Sequence, residues 1–261
     1  MSCRGYNPPI KGFIETSFLD WKEHLSSVMF LGGCNLRCPY CHNKDLVLHH
    51  DAMEDMPMEY IIATLRKYRN WVDKVVVTGG EPTIHMGLFG LIGQLKSEGM
   101  QVKLDTNGSN PSVLKGLVND GLIDYIAMDV KGPVDRYSRW CGVNVDPRQI
   151  RESIEFIMEG SLDYEFRMTT VPFLHREDDV YEVASFLSGA RRFFIQEFRP
   201  DSTLSPAYAR IQPFSPDKIA KIRANVAEIM ASNDASQAPI VRYGMARGQT
   251  DSDTEDRPFT G

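Results

Sequence analysis

Three of the five cysteines in this 261-residue chain fall within eight residues, in Gly33-Cys34-Asn35-Leu36-Arg37-Cys38-Pro39-Tyr40-Cys41-His42-Asn43. Thiols clustered in this way read as metal ligands or redox groups, not as a disulfide framework. The C-x3-C-x2-C spacing lets one compact loop wrap three thiolates around a single iron–sulfur cluster. Three ligands on a four-iron cluster leave one iron open to a substrate, whereas electron-transfer clusters are normally closed by four cysteines. Other readings compete. A structural zinc wants four tetrahedral ligands, and His42, the candidate fourth, is adjacent to Cys41, a poor separation for two ligands on one ion. Cys38-x-x-Cys41-His42 also matches a c-type haem attachment site, but leaves Cys34 unexplained. A thioredoxin-like dithiol would leave one cysteine idle. Cys3 and Cys141 stand apart and read as free thiols.

The remaining residues with chemical capacity come in short groups: Gly79-Gly80-Glu81-Pro82, Asp105-Thr106-Asn107-Gly108, Asp129-Val130-Lys131, Thr169 to Pro172, and Gln196 to Pro200. Glycines allow a backbone to approach a ligand closely. A carboxylate such as Glu81 can accept an ammonium in a charge-assisted bond; the plain alternative is a simple turn. Asp105 and Asp129 could equally cap helices or accept loop hydrogen bonds. Arg167 lies inside an expected strand, where a charge needs a partner, and so reads as a carboxylate clamp or a structural ion pair. Gln196 is either a ligand contact or a satisfied polar residue at a strand end.

Each group follows an apolar run. The spacing predicts strands over 27–31, 74–77, 102–105, 125–130, 164–171 and 193–198, with a short further strand at 239–241. Between them, apolar residues recur at helical spacing: Met58, Ile61, Ile62 and Leu65; Leu88, Leu91, Ile92 and Leu95; Ile150, Ile154 and Ile157; Val180, Val183, Ala184 and Leu187; Ile219, Ile222, Val226 and Ile229. A further helix has Asn110 as N-cap, Pro111 at its first position and Gly121 after its end. Gly99 and Gly160 read as helix stops. Six strand–helix repeats imply parallel strands with right-handed crossovers. The expected fold is α/β, a partial (βα)6 TIM-type barrel with its active site at the C-terminal ends of the strands, where every polar group above converges.

Composition sets the outer bounds. Apolar residues make up 42% and charged residues 25%, ordinary for a globular chain with a sizeable core. The net charge is −6 and no Lys/Arg cluster stands out, so nucleic acid is not an expected partner. The N-terminal stretch lacks an apolar signal region, and the apolar runs are strand-sized, so no membrane span is expected; the expected location is cytoplasmic. Residues 1–244 read as one catalytic domain, and 245–261, polar and acidic, as a disordered tail.

With these residues in place, the chain resembles the radical S-adenosylmethionine superfamily. Within it, the chain is similar to the activating enzymes of glycyl-radical enzymes, especially the longer form of anaerobic ribonucleoside-triphosphate reductase activating protein. The resemblance runs from about Gly12 to Arg242. It rests on Thr16 to Trp21, Gly33 to Asn43, Val75 to Pro82, Lys103 to Ser109, Ala127 to Lys131 and Phe198 to Pro200. It implies that Cys34, Cys38 and Cys41 ligate one 4Fe–4S cluster whose fourth iron is chelated by S-adenosylmethionine. It also implies Tyr40 against the adenine and Gly79, Gly80, Glu81 and Pro82 around the methionine moiety. Asp105, Thr106, Asn107 and Asp129 would border the cofactor, with Asp105 and Asp129 holding a monovalent cation nearby. Lys131 would meet the cofactor or the partner chain, Val171 with Pro172 the adenine through the backbone, and Gln196 the ribose. Phe173 departs from the glycine that commonly follows this proline in relatives.

The implied reaction starts with an electron from a ferredoxin or flavodoxin. It yields a 5′-deoxyadenosyl radical that abstracts hydrogen from a glycine of a partner glycyl-radical enzyme, anaerobic ribonucleoside-triphosphate reductase. One alternative is a radical enzyme of the same superfamily acting on a small metabolite, a deazapurine precursor, a peptide or tRNA. Another, of a different class, is a non-catalytic iron–sulfur electron carrier. Cys3 and Cys141 cannot furnish a second cluster, so one cluster is expected.

Overall fold

β-Branched and aromatic runs suit a pleated surface packed on both faces, and here each such run becomes a strand of one sheet. The computed structural model describes residues 7–232. The expected strand at 239–241, the acidic tail and Cys3 lie outside the described residues. Seven strands lie side by side in chain order: β1 (Ile10–Ser17), β2 (Ser26–Leu31), β3 (Lys74–Gly79), β4 (Gln101–Thr106), β5 (Tyr125–Asp129), β6 (Asp163–Thr170) and β7 (Phe193–Glu197). β1 is antiparallel to β2, and every later pair is parallel. All six strands expected within the described residues are present, with bounds shifted by a residue or two. β1 is an addition the sequence reading does not contain. Of its residues only Ile10 is buried, so its hydrophobic signal is weak.

The helices are α1 (Lys44–Leu48), α2 (Met58–Tyr68), α3 (Leu88–Ser97), α4 (Pro111–Asn119), α5 (Ser138–Cys141), α6 (Pro147–Glu159), α7 (Glu177–Phe186) and α8 (Pro216–Ser232). Gly99 and Gly121 take φ of +78° and +65° just beyond α3 and α4, the left-handed stop expected of them. Asn110 precedes α4 as expected but makes no side-chain cap; its amide donates instead to Thr83 Oγ1 at 3.1 Å. α1 and α5, of five and four residues, are too short to leave a periodic signal.

Strand alternation sorts the side chains onto two faces. Met29, Leu31, Val75, Val77, Val102, Leu104, Ile126, Met128, Phe166, Met168 and Ile195 point outward into one core with Ile61, Leu65, Leu91, Leu95, Leu114, Ile150 and Ile154 of the helices. Each such side chain contributes about 1.5–3 kcal/mol by its burial. The opposite face carries Thr78, Lys103, Asp105, Asp129, Glu165, Arg167, Thr169, Phe194 and Gln196, which together line a cavity of about 550 Å³. A space shared by residues of β3 to β7 requires the sheet to curl, and the architecture is a partial barrel. Trp21, Val28, Val76 and Tyr125 form a small apolar cluster of their own on the inner face. Among the described residues no helix is long and apolar enough to cross a membrane.

Candidate active site

The cysteine loop leaves β2 through Gly32 and Gly33, the latter at φ +85°. Its backbone is held from two sides: Gly33 N donates to Leu46 O at 2.7 Å, and Glu81 N donates to Gly33 O at 2.8 Å. The second contact brings the turn after β3 hard against the loop. A Cβ on Gly80 would stand 1.8 Å from Gly33 O, and one on Gly79, at φ +122°, would stand 2.3 Å from Leu31 O. Only glycine fits either place. Cys34, Cys38 and Cys41 all line the cavity, with Cys38 buried and the others half-buried. Leu36 N donates to Cys34 Sγ at 3.3 Å. Asn107 donates to Asn35 Oδ1 at 3.0 Å, and Asn35 donates to Ser109 Oγ at 2.8 Å, tying the loop to the end of β4.

Electrostatics separate the three thiols. Burial, with the Glu81 carboxylate adding to it, pushes Cys34 up to about 12. Burial also raises Cys41. Cys38 is lowered, first by a hydrogen bond from the Cys141 thiol and then, against its burial, by the nearby Lys131 ammonium. His42, half exposed, also lines the cavity, with Nε2 3.9 Å from Asp201 Oδ2. Among the described residues no group of three or more His, Cys, Asp or Glu side chains is gathered tightly enough to hold a single ion.

Glu81 is 1% exposed and accepts four hydrogen bonds. Thr83 N (3.1 Å), Thr83 Oγ1 (2.5 Å) and Thr106 Oγ1 (2.7 Å) all donate to Oε1, and Asn107 N donates to Oε2 at 2.6 Å. Burial raises its pKa even against these donors. A carboxylate has about four lone-pair sites, and Oε2 keeps one for a further donor. Thr106 and Asn107 thus build the site by holding Glu81.

A chain of charges runs along the inner face. Lys103 Nζ lies 3.0 Å from Glu165 Oε1, which lies 3.8 Å from Arg167 Nη1. Arg167 bridges two aspartates, with Nη1 3.3 Å from Asp105 Oδ2 and Nε 2.8 Å from Asp129 Oδ1. Lys131 Nζ closes the series 3.1 Å from Asp129 Oδ2. Burial works to raise Asp129, but Arg167 and Lys131 outweigh it and hold the carboxyl well below the usual carboxylate range. Arg167 is an ion-pair partner of both aspartates and also lines the cavity.

Behind Cys38 sits a block of buried rings. The Tyr40 hydroxyl is buried without a hydrogen-bond partner, and its ring meets His175 edge-on at 6.0 Å. His175 Nδ1 accepts from Val171 N at 3.0 Å, which leaves Nε2–H to donate to Lys131 O at 2.9 Å. Tyr137 accepts from Lys131 N at 3.0 Å and donates to Asp129 O at 3.3 Å. Gln196 lines the cavity at the end of β7, with Thr169 Oγ1 3.4 Å from its Oε1.

Tyr40, Gly79, Gly80, Glu81, Asp105, Thr106, Asn107, Asp129, Lys131, Arg167 and Gln196 therefore share the cavity wall with the three cysteines. Pro82 and Val171 do not. Pro82 is buried at the start of a single helical turn. Val171 is fully buried, and its N–H and carbonyl each make a hydrogen bond with His175. The sequence reading passes over Lys103 and Glu165, although charges at alternate positions of two apolar strands signal a polar inner face. It also misses Phe18 and Leu19, the exposed pair of the β1–β2 loop on the cavity wall.

Comparison with known proteins agrees with this geometry. The model of the Radical SAM superfamily matches residues 28–187. A protein assigned by name to the glycyl-radical enzyme activating enzymes, from Methanocaldococcus jannaschii, is 31% identical over 77% of this chain and 85% of its own length. The 7-carboxy-7-deazaguanine synthase of Neisseria meningitidis serogroup B is 34% identical over 42% of this chain and 46% of its own. The coproporphyrinogen III oxidase structure from Escherichia coli, described as a radical SAM enzyme, superposes with a TM-score of 0.56 at 15% identity. It covers 79% of this chain, which spans about half, 52%, of that structure. Family match and fold coincide on the strands that carry the cysteine loop and the charged inner face: this chain belongs to the radical S-adenosylmethionine superfamily, whose members use a 4Fe–4S cluster and S-adenosylmethionine.

Proposed function

We propose that this chain is an activating enzyme that removes a hydrogen atom from a glycine of a partner glycyl-radical enzyme. The observation that carries the reading is the meeting of three loop thiols with the glycine-walled turn of Glu81 on one cavity wall. That donor set fits the cofactors of the family: three sulfurs from one loop, not gathered on one ion, suit separate irons of a cluster. Beside them are a carboxylate with a spare lone pair and an unpartnered buried phenol. When bound, the cluster and S-adenosylmethionine supply reductive cleavage of a sulfonium to methionine and a 5′-deoxyadenosyl radical, the species that takes the hydrogen atom.

The protein's own part is to bind, orient and exclude water. In this reading Cys34, Cys38 and Cys41 hold three irons, and Glu81 Oε2 accepts the ammonium of the methionine moiety. Gly79 and Gly80 let the backbone approach it. Tyr40 packs against the adenine, while Thr106 and Asn107 fix Glu81. Lys131 and Arg167 meet the carboxylate or the incoming peptide, and Gln196 meets the ribose. The monovalent cation expected at Asp105 and Asp129 has less support, because Arg167 already bridges these carboxylates. A ferredoxin or flavodoxin in the cytoplasm is the electron source in this reading, and anaerobic ribonucleoside-triphosphate reductase the partner. Residues 1–244 act as one catalytic unit.

The likeness to 7-carboxy-7-deazaguanine synthase supports a second reading, in which the hydrogen donor is a small metabolite such as a deazapurine precursor. One experiment separates the two. Anaerobically reconstituted protein is reduced, given S-adenosylmethionine, and mixed with candidate glycyl-radical enzymes. A glycine-centred EPR doublet supports activation. Cleavage to methionine with no doublet from any partner favours the small-molecule reading. No cleavage, and no change in the cluster's EPR signal on adding S-adenosylmethionine, rejects both.

A further inference from the structure

Phe173 breaks two rules of protein surfaces at once. It is 92% exposed, and its φ of +67° is a left-handed conformation that bulky side chains rarely adopt and that glycine would hold without strain. The turn that carries it is tightly held. His175 N donates to Val171 O at 2.9 Å, Val171 N donates back to His175 Nδ1 at 3.0 Å, and Leu174 is tucked into the core. The chain thus fixes a phenyl ring in water. Folding gains nothing from that, whereas docking to a partner protein would.

Cations stand beside it. His175 stacks on Trp140 at 6.0 Å and 3°, and the exposed Arg139 holds its guanidinium 5.5 Å from the centre of the Trp140 ring. α5 is fastened to the cysteine loop by Arg37 N, which donates to Cys141 O at 2.8 Å, and by Gly142, where a Cβ would stand 2.1 Å from Arg37 O. Arg37, half-buried, spends Nη1 on Cys34 O and Leu36 O. Neither Arg37 nor Arg139 has a carboxylate partner among the described residues. Asp179 and Glu182 of α7, and Asp135 ahead of α5, are taken up by Arg136 and Arg151. In a chain of net charge −6, the surface behind Cys38 is therefore an exposed ring beside uncompensated positive charge.

We propose that Phe173, Arg139 and Arg37 form the docking surface for the electron donor, an acidic flavoprotein carrier of the flavodoxin type. The inference rests on the cluster assignment above and goes beyond it by naming where the electron enters. Electron-transfer partners meet over small, short-lived interfaces. Opposite charge brings such partners together, and little contact area is needed to hold them. Acidic side chains of the carrier pair with the two arginines, and the apolar edge of its flavin covers the phenyl ring. From this surface the Trp140–His175 stack leads to Tyr40, which His175 meets edge-on at 6.0 Å and which lies between Cys38 and Cys41. The fully reduced flavin anion gives up one electron to become a neutral radical, the cluster gains that electron, and no proton or bond changes.

The test compares anaerobically reconstituted wild type with Phe173→Gly, Arg139→Gln and the double variant. Glycine suits the backbone at 173, so thermal melts of Phe173→Gly should match or exceed wild type. Calorimetry reads the binding of oxidised flavodoxin, and stopped-flow absorbance reads cluster reduction by the fully reduced carrier. In the double variant, binding at low salt is expected to weaken about tenfold, with reduction slowed to match and the salt dependence of wild type blunted. Reduction by dithionite, and the S-adenosylmethionine cleavage that it drives, should be unchanged. A double variant that binds flavodoxin and accepts its electrons like wild type overturns the proposal. So does a wild type that neither binds nor is reduced by flavodoxin, whatever ferredoxin does. A loss confined to the glycyl-radical yield of dithionite-reduced samples also overturns it, since the surface would then seat the glycyl-radical enzyme. If wild type assembles no 4Fe–4S cluster, the cluster assignment itself has failed, a distinct result, and the calorimetry still decides the docking surface.

Discussion

At the scale of single residues, Glu81 and His175 show how the site sets its own requirements. Glu81→Gln keeps the shape but replaces one acceptor with an amide donor. Since both oxygens of Glu81 accept, that donor must face another N–H or O–H. The expected cost is about 2–3 kcal/mol of stability, the scale of a buried donor left unsatisfied, read from urea midpoints. Calorimetry should show S-adenosylmethionine binding lost in parallel. His175 predicts a pH dependence. Burial lowers it from 6.5 to about 4, so the fold keeps it neutral where the unfolded chain would protonate it. Its contribution is complete above pH 6.5 and is lost as pH falls toward 4, by up to about 3 kcal/mol. Denaturation of the cluster-free protein between pH 7 and 4.5 checks this, and His175→Gln should flatten the curve. What was legible at this scale was local. Cys34, Cys38, Cys41 and Glu81 announce themselves by spacing within one loop or turn. Cys141, whose carbonyl accepts from Arg37 N, and His175 make their contacts across the fold, which no spacing records.

At the scale of elements, two glycine substitutions should move stability in opposite directions. Gly80→Ala drives a methyl into the Gly33 carbonyl and pushes the turn after β3 off the cysteine loop. A loss of about 1–3 kcal/mol is expected, as for overpacked sites, together with less iron retained per chain on reconstitution. Gly93 lies inside α3, where an added Cβ would meet nothing within 4 Å. Gly93→Ala should therefore raise stability by about 0.5–1 kcal/mol, by helix propensity alone. Thermal melts of the two variants decide both. The long elements were readable because their apolar periodicity is driven by the large outer core. β1 and α5 were not. β1, at the sheet's edge, buries only one of its residues, and one turn of α5 is shorter than any period it could display.

The whole molecule is a barrel turned inside out in its chemistry. Its oil lies outside the sheet, under the helices, while the inner face carries a line of charges that meets the cofactor cavity. The six-repeat pattern made the barrel legible, and the alternating charges of β4 and β6 carry the signal of its polar interior once both faces of each strand are considered. This arrangement places Lys103 at 2% exposure between the Asp20 carbonyl, 2.7 Å away, and Glu165. Removing only this cation leaves the buried Glu165 carboxylate with the more distant Arg167, 3.8 Å away, as its counter-charge, so Lys103→Met is expected to cost about 3 kcal/mol. Glu165→Gln, which keeps an acceptor for the Tyr125 hydroxyl now 3.0 Å away, should cost less. In the double variant no net charge is left unpaired at this position, and the loss should fall clearly below the sum of the single losses. The coupling is read from a double-mutant cycle of urea denaturation. Additive losses would mean that water, not Lys103, compensates Glu165, and that the inner face is wetter than its burial implies.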